Sequence, residues 1–214
     1  MIVWLASYPK SGNTWVRSFL SSLIYNKDGT ADLNSMPISQ YPVQGHFKGL
    51  VNEFDNINLL SEKWILSQDL LNLDNKIKFF KTHHVMCNFG KNSFTNYENT
   101  FGVIYIVRDP RNVITSILNY YSKKNYEEAK EFLFDQEKII GVDLSKKYEY
   151  ENDNNIITLI SSWKNHYNSW KNFKKNFLLI KYENLINNER NEFLKIRNYL
   201  KEKLNLKFSD NKFD

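Results

Sequence analysis

The sequence predicts an α/β fold in which helices flank a parallel β-sheet, and two observations lead to it. Four short runs, rich in β-branched, aromatic and leucine residues, have the character of strands covered on both faces: Ile2–Ser7, Ile77–Thr82, Phe101–Val107 and Phe177–Lys181. Segments with apolar residues at helical spacing separate or follow these runs: about Thr14–Tyr25, Pro110–Tyr121, Tyr126–Lys138, Ile156–Lys174 and Asn188–Leu204. This alternation indicates βαβ units, whose ligands bind beyond the carboxyl ends of the strands.

Length and composition set the class of protein. The 214 residues suit one domain, 1–214, and the polar stretches Lys27–Gln44 and Asp143–Asn155 predict long loops rather than linkers. No apolar stretch reaches the ~20 residues of a membrane span, and the first strand starts too early for a signal peptide or anchor. The single cysteine, Cys87, excludes an internal disulfide and suits a cytoplasmic protein. A net charge of +5 favours an anionic ligand, whereas the even spread of lysines argues against nucleic acid.

The segment from Tyr8 to Trp15 predicts a phosphate site. It lies between the first strand and the first helix and reads Tyr-Pro-Lys-Ser-Gly-Asn-Thr-Trp. A helix that begins after a glycine turn offers unpaired N–H groups and the positive end of its dipole, and together these bind phosphate. Lys10, Ser11 and Thr14 could add donors, and glycine is scarce, with 7 in 214 residues.

The same loop departs from the P-loop of nucleoside triphosphatases, G-x-x-x-x-G-K-[ST]. With the second glycine on Gly12, Thr14 keeps the hydroxyl, but Ser7 replaces the first glycine and Asn13 replaces the lysine. The cation lies instead at Lys10, inside the loop. ATP and magnesium chemistry therefore does not follow from the loop, although a small-molecule or nucleotide kinase stays the alternative enzyme.

A second anion site is predicted where the third strand ends. Asp109 and Pro110 have the residue types of a helix N-cap and first helical position, which puts Arg108 at the strand end and Ser116 two turns into the helix. An arginine fork and a hydroxyl can grip a phosphate monoester. Two other interpretations stay open: Arg108 could pair with a carboxylate, and Asp109 could be the acidic residue that ends a kinase Walker B strand.

A candidate general base follows the second strand. His83 is one of four histidines, and an imidazole with a pKa near ~6.5 can accept a proton at neutral pH. The adjacent His84 should point elsewhere if the backbone stays extended, and it is interpreted as acceptor-site lining or as structural.

These segments resemble the sulfotransferases that use 3′-phosphoadenosine-5′-phosphosulfate (PAPS). The family's 5′-phosphosulfate loop is typically Tyr-Pro-Lys-Ser-Gly-Thr-Thr-Trp, and seven of the eight positions match, with Asn13 as the departure. The family's Arg-[DN]-Pro-x-[DN]-Val segment, with a serine eight residues after the arginine, holds the 3′-phosphate and matches Arg108 and Ser116. The resemblance implies a P-loop-containing nucleotide-binding fold with PAPS as cofactor and no metal.

Three further segments carry the resemblance. Lys81-Thr82-His83 matches the family's Lys-Thr-His, which implies that His83 is the base and that Lys81 assists. Tyr182 begins a Tyr-Glu-Asn-Leu segment and corresponds to the tyrosine beside the adenine, although it also suits an ordinary aromatic residue at a strand end. Trp15 corresponds to the tryptophan that stacks on the adenine, although it also suits a core position at the start of an amphipathic helix. The residues Trp163, His166 and Trp170 match a Trp-x-x-His-x-x-x-Trp helix and are interpreted mainly as core and cleft wall.

The resemblance implies transfer of a sulfuryl group to a hydroxyl or amine of a small-molecule, sugar or lipid acceptor. The implied cofactor-binding residues are Lys10, Ser11, Gly12, Asn13, Thr14, Trp15, Arg108, Ser116 and Tyr182, and the implied catalytic residues are Lys10, Lys81, His83 and Ser116. The acceptor pocket is expected from roughly residues 35–56 and 120–150. The chain ends at Asp214 without the family's Arg-Lys-Gly loop, so either the sequence is truncated or the 3′-phosphate relies on Arg108, Ser116 and another basic residue such as Arg111. A catalytically inactive sulfonucleotide-binding module is therefore a second alternative.

Overall fold

A parallel β-sheet with helices on both faces forms the centre of the protein, and the computed structural model describes residues 1–25, 36–141 and 156–207. The strands are β1 (Ile2–Ser7), β2 (Ser39–Gln40), β3 (Lys78–Thr82), β4 (Asn88–Phe89), β5 (Asn92–Ser93), β6 (Thr100–Val107), β7 (Ile139–Ile140), β8 (Thr158–Leu159) and β9 (Phe177–Lys181). The helices are α1 (Asn13–Tyr25), α2 (Ile57–Ser61), α3 (Trp64–Asn72), α4 (Pro110–Tyr120), α5 (Tyr126–Phe134), α6 (Trp163–Asn172), α7 (Tyr182–Asn187) and α8 (Glu189–Asn198). A 3₁₀ turn lies at Gln44–His46 and a π-helical turn at Tyr199–Lys203.

The central sheet has five strands in the order β2-β3-β1-β6-β9, and every neighbouring pair is parallel. The four strands predicted from sequence are confirmed, two with the predicted bounds and two within one residue. The edge strand β2 lies in the segment Lys27–Gln44, which was predicted to be a loop. Two paired residues without an apolar pattern give no strand signal in the sequence.

The strand β1 is central, and all six of its residues are buried. Its alternate side chains divide between the two faces, as the period of a strand requires. Trp4 packs with Tyr41, Phe94 and Trp170 on one face. Leu5 belongs to the opposite face, whose buried residues include members of α1 and α8: Val16, Leu20, Leu23 and Ile196. Both faces are thus covered, which explains the near-continuous apolar sequence of the strand.

The prediction of one helix over Ile156–Lys174 is wrong in its first part. The strand β8 lies there and pairs antiparallel with β7. The helix α6 begins only at Trp163, where the Ser162 side chain accepts a hydrogen bond from the N–H of Asn165. The β-branched residues between Ile156 and Ile160 favour extended backbone, and this preference prevails over the helical spacing.

Other boundaries differ less. The helix α5 ends at Phe134 rather than Lys138, because Asp135 has an extended backbone with ψ of 113°. The last predicted helix is α8 followed by the π-helical turn, and α2, α3 and α7 were not predicted. The predicted loop Asp143–Asn155 and residues 26–35 lie outside the described part of the chain. No helix in the described part is long and apolar enough to cross a bilayer.

The register brings the carboxyl ends of four strands to one edge. Ala6 pairs with Thr82, Ser7 pairs with Ile106, and Val107 pairs with Lys181. The segments that follow these strands therefore begin side by side. They are the four segments in which the sequence places its candidate functional residues.

Candidate active site

The loop between β1 and α1 turns sharply at two left-handed residues. Lys10 and Gly12 have φ angles of 66° and 90°. A β-carbon on Gly12 would lie 2.4 Å from Cδ2 of Tyr182, so glycine is required by the backbone and by this contact. The helix α1 starts directly after this turn, and its first N–H groups have no partner within the helix. The loop thus has the form of an anion site at a helix N-terminus.

Two buried donors beside this loop have no hydrogen-bond partner among the described residues. They are the Oγ of Ser11, a residue 1% exposed, and the Nε of Arg108. Buried donors are ordinarily paired in folded proteins. Their presence at the two predicted phosphate segments fits a site that holds an anionic ligand.

Arg108 joins the first segment to the second. Its Nη1 donates hydrogen bonds to the carbonyl oxygen of Lys10 and to the Oγ of Ser116, each at 2.9 Å. Its guanidinium also lies 4.4 Å from the ring centre of Tyr182, the ring against which Gly12 packs. One cation is therefore held by the loop, by α4 and by the aromatic residue after β9.

Asp109 has a structural role. Its side chain accepts a hydrogen bond from the N–H of Arg111 and caps α4, with Pro110 as the first helical residue. The guanidinium of Arg111 holds the pKa of this carboxyl at about 2. The N–H of Asp109 donates to Glu183 at 2.8 Å, which links α4 to α7. The Walker B interpretation of Asp109 is disfavoured, since this carboxylate is already paired with Arg111.

His83 lies half-buried on the cleft, with its orientation fixed by Ser7. The Nδ1 of His83 is 2.7 Å from the carbonyl oxygen of Ser7 and 3.3 Å from its Oγ. Because a carbonyl only accepts, Nδ1 carries the proton and Nε2 keeps a lone pair. Burial and the nearby Lys81 lower the pKa of His83 well below its usual value, so the imidazole is neutral at neutral pH. This is the protonation state that a general base needs.

Lys81 lies on β3, two residues before the candidate base. Its Nζ donates to Oε1 of Gln40 at 2.8 Å. Burial, with a smaller effect of the Arg17 charge, lowers the pKa of Lys81 to about 8. The ammonium is thus charged at neutral pH and close to losing its proton in mildly alkaline solution.

Lys10 lies at the turn of the loop, with its Nζ 3.9 Å from the ring centre of Tyr120. Tyr120 is at the end of α4 and is 65% exposed. A cation over an exposed aromatic face gains about 0.5–1 kcal/mol. This contact holds the ammonium at the cleft without consuming its charge in an ion pair.

These residues line a cleft of about 790 Å³. Its described walls are formed by Pro9, Lys10, Gly12, Asn13, Thr14, Gln40, Lys81, His83, Arg108, Ser116, Tyr120, Tyr121, Ile140, Gly141, Thr158 and Tyr182. Three cations and no carboxylate are among these described residues, which suits an anionic ligand. Within residues 1–25, 36–141 and 156–207, no group of three or more His, Cys, Asp or Glu side chains could hold a metal ion.

Comparison with known protein families agrees with this geometry. The model of the family described as "Sulfotransferase domain" matches residues 2–212, nearly the whole chain. The chain belongs to the sulfotransferase family.

Two curated sulfotransferases are similar in sequence. The chain is 26% identical over 219 residues to the 3-beta-hydroxysteroid sulfotransferase of Cavia porcellus, covering 97% of this chain and 63% of the relative. It is 26% identical over 222 residues to sulfotransferase 2A1 of Macaca fascicularis, covering 99% of this chain and 65% of the relative. The chain thus spans a little under two thirds of the length of these relatives.

Solved structures share the fold. Mouse sulfotransferase SULT7A1, complexed with PAP, aligns with a TM-score of 0.51 at 18% identity, over 98% of this chain and 60% of its own. Retinol dehydratase, in a complex with retinol and PAP, aligns with a TM-score of 0.57 at 17% identity, over 99% of this chain and 62% of its own. These likenesses confirm the fold class predicted from the sequence.

Not every residue of the sulfotransferase motifs lies on the described cleft. Trp15 is half-buried, donates from Nε1 to Glu189 at 2.8 Å and meets Tyr182 edge-on at 6.4 Å. Thr14 is exposed at the start of α1, whereas Ser11 is buried within the loop.

The helix α6 binds the backbone that carries the candidate base. His166 donates from Nε2 to the carbonyl oxygen of His83 at 3.0 Å and accepts from the hydroxyl of Tyr105 at 2.8 Å. Trp170 donates from Nε1 to the carbonyl oxygen of His84 at 2.9 Å. The imidazole of His84 is fully buried and stacks on Phe94 with ring centres 4.0 Å apart, so its role is structural.

Sequence reasoning missed several residues of the site. Ser7 touches the base but reads as the last residue of a strand, and its only signal is that it directly precedes the loop. Gln40 and Tyr120 fall in ranges expected to line the acceptor pocket, without having been singled out. Thr158 was assigned to a helix, and only the β7–β8 pair brings it to the cleft.

Proposed function

We propose that this protein is a PAPS-dependent sulfotransferase that modifies a hydroxyl or amine of a small-molecule, sugar or lipid acceptor. The observation that carries the proposal is the convergence of His83, Lys10 and Arg108 on one cleft beyond the carboxyl ends of the strands. The proposal treats residues 1–214 as one sulfotransferase-like domain. The cytoplasmic location stays a prediction that rests on the single cysteine, Cys87.

The cofactor would be held at the two anion sites. The loop and the first N–H groups of α1 would bind the 5′-phosphosulfate, with Arg108 and Ser116 at the 3′-phosphate. The unpaired donors on Ser11 and Arg108 support this assignment, since an anion would satisfy them. The proposed cofactor-binding residues are those that the sequence indicated: Lys10, Ser11, Gly12, Asn13, Thr14, Trp15, Arg108, Ser116 and Tyr182.

The chemistry divides between the cofactor and the chain. PAPS, when bound, supplies a sulfuryl group attached to a phosphate that can leave. The Nε2 of His83 takes the proton of the acceptor hydroxyl or amine, because Nδ1 is already occupied by Ser7. Lys10, assisted by Lys81, provides positive charge where the leaving phosphate gains negative charge. Positioning and electrostatic stabilisation then account for the rate, as in phosphoryl transfer.

The acceptor side of the cleft combines rings with hydrogen-bonding groups. Tyr120 and Tyr121 supply the rings, whereas Gln40 and Thr158 supply polar atoms. The similar proteins include a 3-beta-hydroxysteroid sulfotransferase, and retinol dehydratase in a complex with retinol. We infer for this chain an acceptor whose hydroxyl or amine is carried on a flat or ring-shaped body, which the tyrosine rings of the cleft would contact.

Calorimetric titration with 3′-phosphoadenosine-5′-phosphate (PAP) tests the cofactor assignment, with AMP and ATP–Mg²⁺ as comparison ligands. We expect PAP to bind more tightly than AMP, which lacks the 3′-phosphate. Arg108→Gln should weaken the binding of PAP by about 10- to 100-fold, because the substitution removes charge-assisted hydrogen bonds to the ligand. Lys174→Gln is the control, because it removes one positive charge from an exposed position outside the cleft.

The other outcomes separate the alternatives. Preference for ATP–Mg²⁺ over PAP would overturn the proposal in favour of a kinase. PAP binding without turnover of any hydroxyl or amine acceptor would indicate an inactive binding module. Equal losses in Arg108→Gln and Lys174→Gln would attribute the effect to net charge and would overturn the assignment of the 3′-phosphate to Arg108.

A further inference from the structure

Gln40 is the last residue of the edge strand β2, and the backbone is fixed on both sides of it. The Nε of Arg17 on α1 donates to the carbonyl oxygen of Ile38 at 2.6 Å. The N–H of Tyr41 donates to the carbonyl oxygen of Lys81 at 2.9 Å, which continues the pairing between β2 and β3. Gln40 is thus held beside Lys81, its partner in the register of the sheet.

The side chains of this pair are also joined. The Nζ of Lys81 donates to the Oε1 of Gln40 at 2.8 Å, and both residues line the cleft. An ammonium has three donors and no acceptor, so the amide must turn its oxygen toward the lysine. Within the described part of the chain, this oxygen is the only hydrogen-bond partner of the ammonium. Gln40 therefore determines where the charge of Lys81 lies in the cleft.

The partner of Lys81 is neutral, which decides what becomes of the charge. A carboxylate in place of the Gln40 amide would form an ion pair and cancel the positive charge, whereas an amide oxygen stabilises the ammonium and leaves its net charge. Burial works against the charged form and lowers the pKa of Lys81 to about 8. The hydrogen bond from the ammonium opposes that effect, because it stabilises the charged form.

We propose that Gln40 is a positioning residue, which holds the Lys81 ammonium at the cleft without neutralising its charge. The edge strand β2 thus contributes to the electrostatics of the site. The effect on turnover rests on the proposed function, in which Lys81 assists Lys10, whereas the effect on the lysine itself does not.

The described groups around Lys81 keep their charge state while this lysine titrates. The Arg17 guanidinium on α1 stays positive and disfavours the ammonium by repulsion. The His83 imidazole after β3 is neutral from neutral pH upward, because burial and the nearby Lys81 lower its pKa. On β1 the neighbour in the register is the apolar Leu5. A change in the titration of Lys81 therefore reports a change in its own hydrogen bond.

Titration of ¹³C-labelled lysine followed by NMR measures the pKa of Lys81 in the cofactor-free protein, with the signal assigned by its absence in Lys81→Met. Gln40→Met keeps the length of the side chain but replaces the amide oxygen by a weakly accepting thioether. We expect the pKa to fall by about one pH unit, since a hydrogen bond to a charged group is lost. Gln40→Glu should raise the pKa, because a carboxylate favours the ammonium.

Ser39→Ala is the control for the titration. It changes the neighbouring, exposed residue of β2, which does not line the cleft, and it should leave the titration of Lys81 unchanged.

The dependence of kcat on pH connects this bond to turnover. If the charged lysine is needed, a pKa lower by about one pH unit reduces kcat in Gln40→Met by about twofold at about pH 7 and about fivefold at about pH 8. Gln40→Glu should also be slower than the wild type at neutral pH, because its carboxylate cancels the charge. Its decline on the alkaline side should begin at higher pH. The two variants thus lose rate with opposite changes in the pKa of Lys81, which a merely structural role would not produce.

A double-mutant cycle decides whether Gln40 acts through Lys81. Gln40→Met should cause no further loss of kcat in a protein that already carries Lys81→Met. A loss of the same size in both backgrounds would overturn the inference and make Gln40 a direct contact of the ligand. An unchanged titration of Lys81 in Gln40→Met would overturn it equally. Failure of the wild-type protein to bind PAP would instead overturn the proposed function and leave the titration result standing.

Discussion

His166 donates a hydrogen bond from Nε2 to the backbone carbonyl oxygen of His83, with 3.0 Å between the two atoms. A fully buried imidazole on α6 thus fixes the backbone that carries the candidate base, and Tyr105 fixes the imidazole in turn. Base and support are 83 residues apart in sequence.

Replacement of His166 by alanine should destabilise the protein. The change leaves a cavity and an unpaired carbonyl oxygen on His83, and the expected loss is about 2–4 kcal/mol in the free energy of unfolding. His166→Gln should lose less stability, because the side-chain amide of the introduced glutamine can still donate to the carbonyl oxygen of His83. Urea denaturation of the three proteins checks this, and equal losses for alanine and glutamine would contradict the role of this hydrogen bond.

Replacement of His83 by alanine should abolish turnover but not cofactor binding. General base catalysis contributes about 10²–10⁴ in rate, and the imidazole of His83 is held by Ser7 rather than by the anion sites. Initial rates and PAP titration measure the two effects. His84→Phe serves as the control because the ring of His84 stacks in the core on Phe94, and it should keep most of the activity. Normal turnover by His83→Ala would remove it from the role of base.

Replacement of Lys10 by alanine should reduce kcat more than PAP affinity. The ammonium is held at the cleft by the ring of Tyr120, where it can stabilise charge that grows during transfer. Loss of one such donor costs about 10²–10³ in kcat. Lys164→Ala removes the same charge from the exposed surface of α6 and is the matched control. A loss confined to affinity would make Lys10 a simple binding residue.

The protein should lose stability as the pH falls through the range of its histidines. Burial lowers the pKa of His166 to about 4 and of His84 to about 3, below the usual 6.5. The unfolded chain therefore binds more protons than the folded one from about pH 6.5 down to about pH 4, and the free energy of unfolding decreases over that window. The expected loss is on the order of 1–2 kcal/mol for each buried imidazole by about pH 5.

Urea unfolding at about pH 7 and about pH 5 measures this loss. His166→Gln, which lacks one of the buried imidazoles, should show a smaller difference between the two conditions. A free energy of unfolding that stays constant across the window would show that these histidines gain protons as readily in the folded protein as in the unfolded chain.

The sequence predicts the functional edge of the sheet well because its signals there are local. Lys10, His83, Arg108 and Tyr182 each follow a strand whose apolar residues mark its end, and parallel strands end at one edge. The role of Ser7 depends on the register that brings it beside His83, which no local pattern encodes.

The remaining differences also have non-local causes. The run from Ile156 to Ile160 carries helical spacing and β-branched residues together, and pairing with β7 decides in favour of a strand. For Asn13 the residue type alone indicates a departure from the family pattern. Only the three-dimensional contacts with Leu5 and Ser7 show what its amide binds.

The central place of β1 bears on how the protein moves. Its backbone is bonded to β3 on one side and to β6 on the other, and both of its faces are covered. Amide hydrogens in such a strand exchange with solvent only when the whole domain opens, whereas peripheral helices exchange through local fluctuations. Opening of α2 or α3 would then leave Ser7 and the start of the anion loop in register. The most slowly exchanging amides should therefore lie in the strand whose last residue, Ser7, contacts the candidate base.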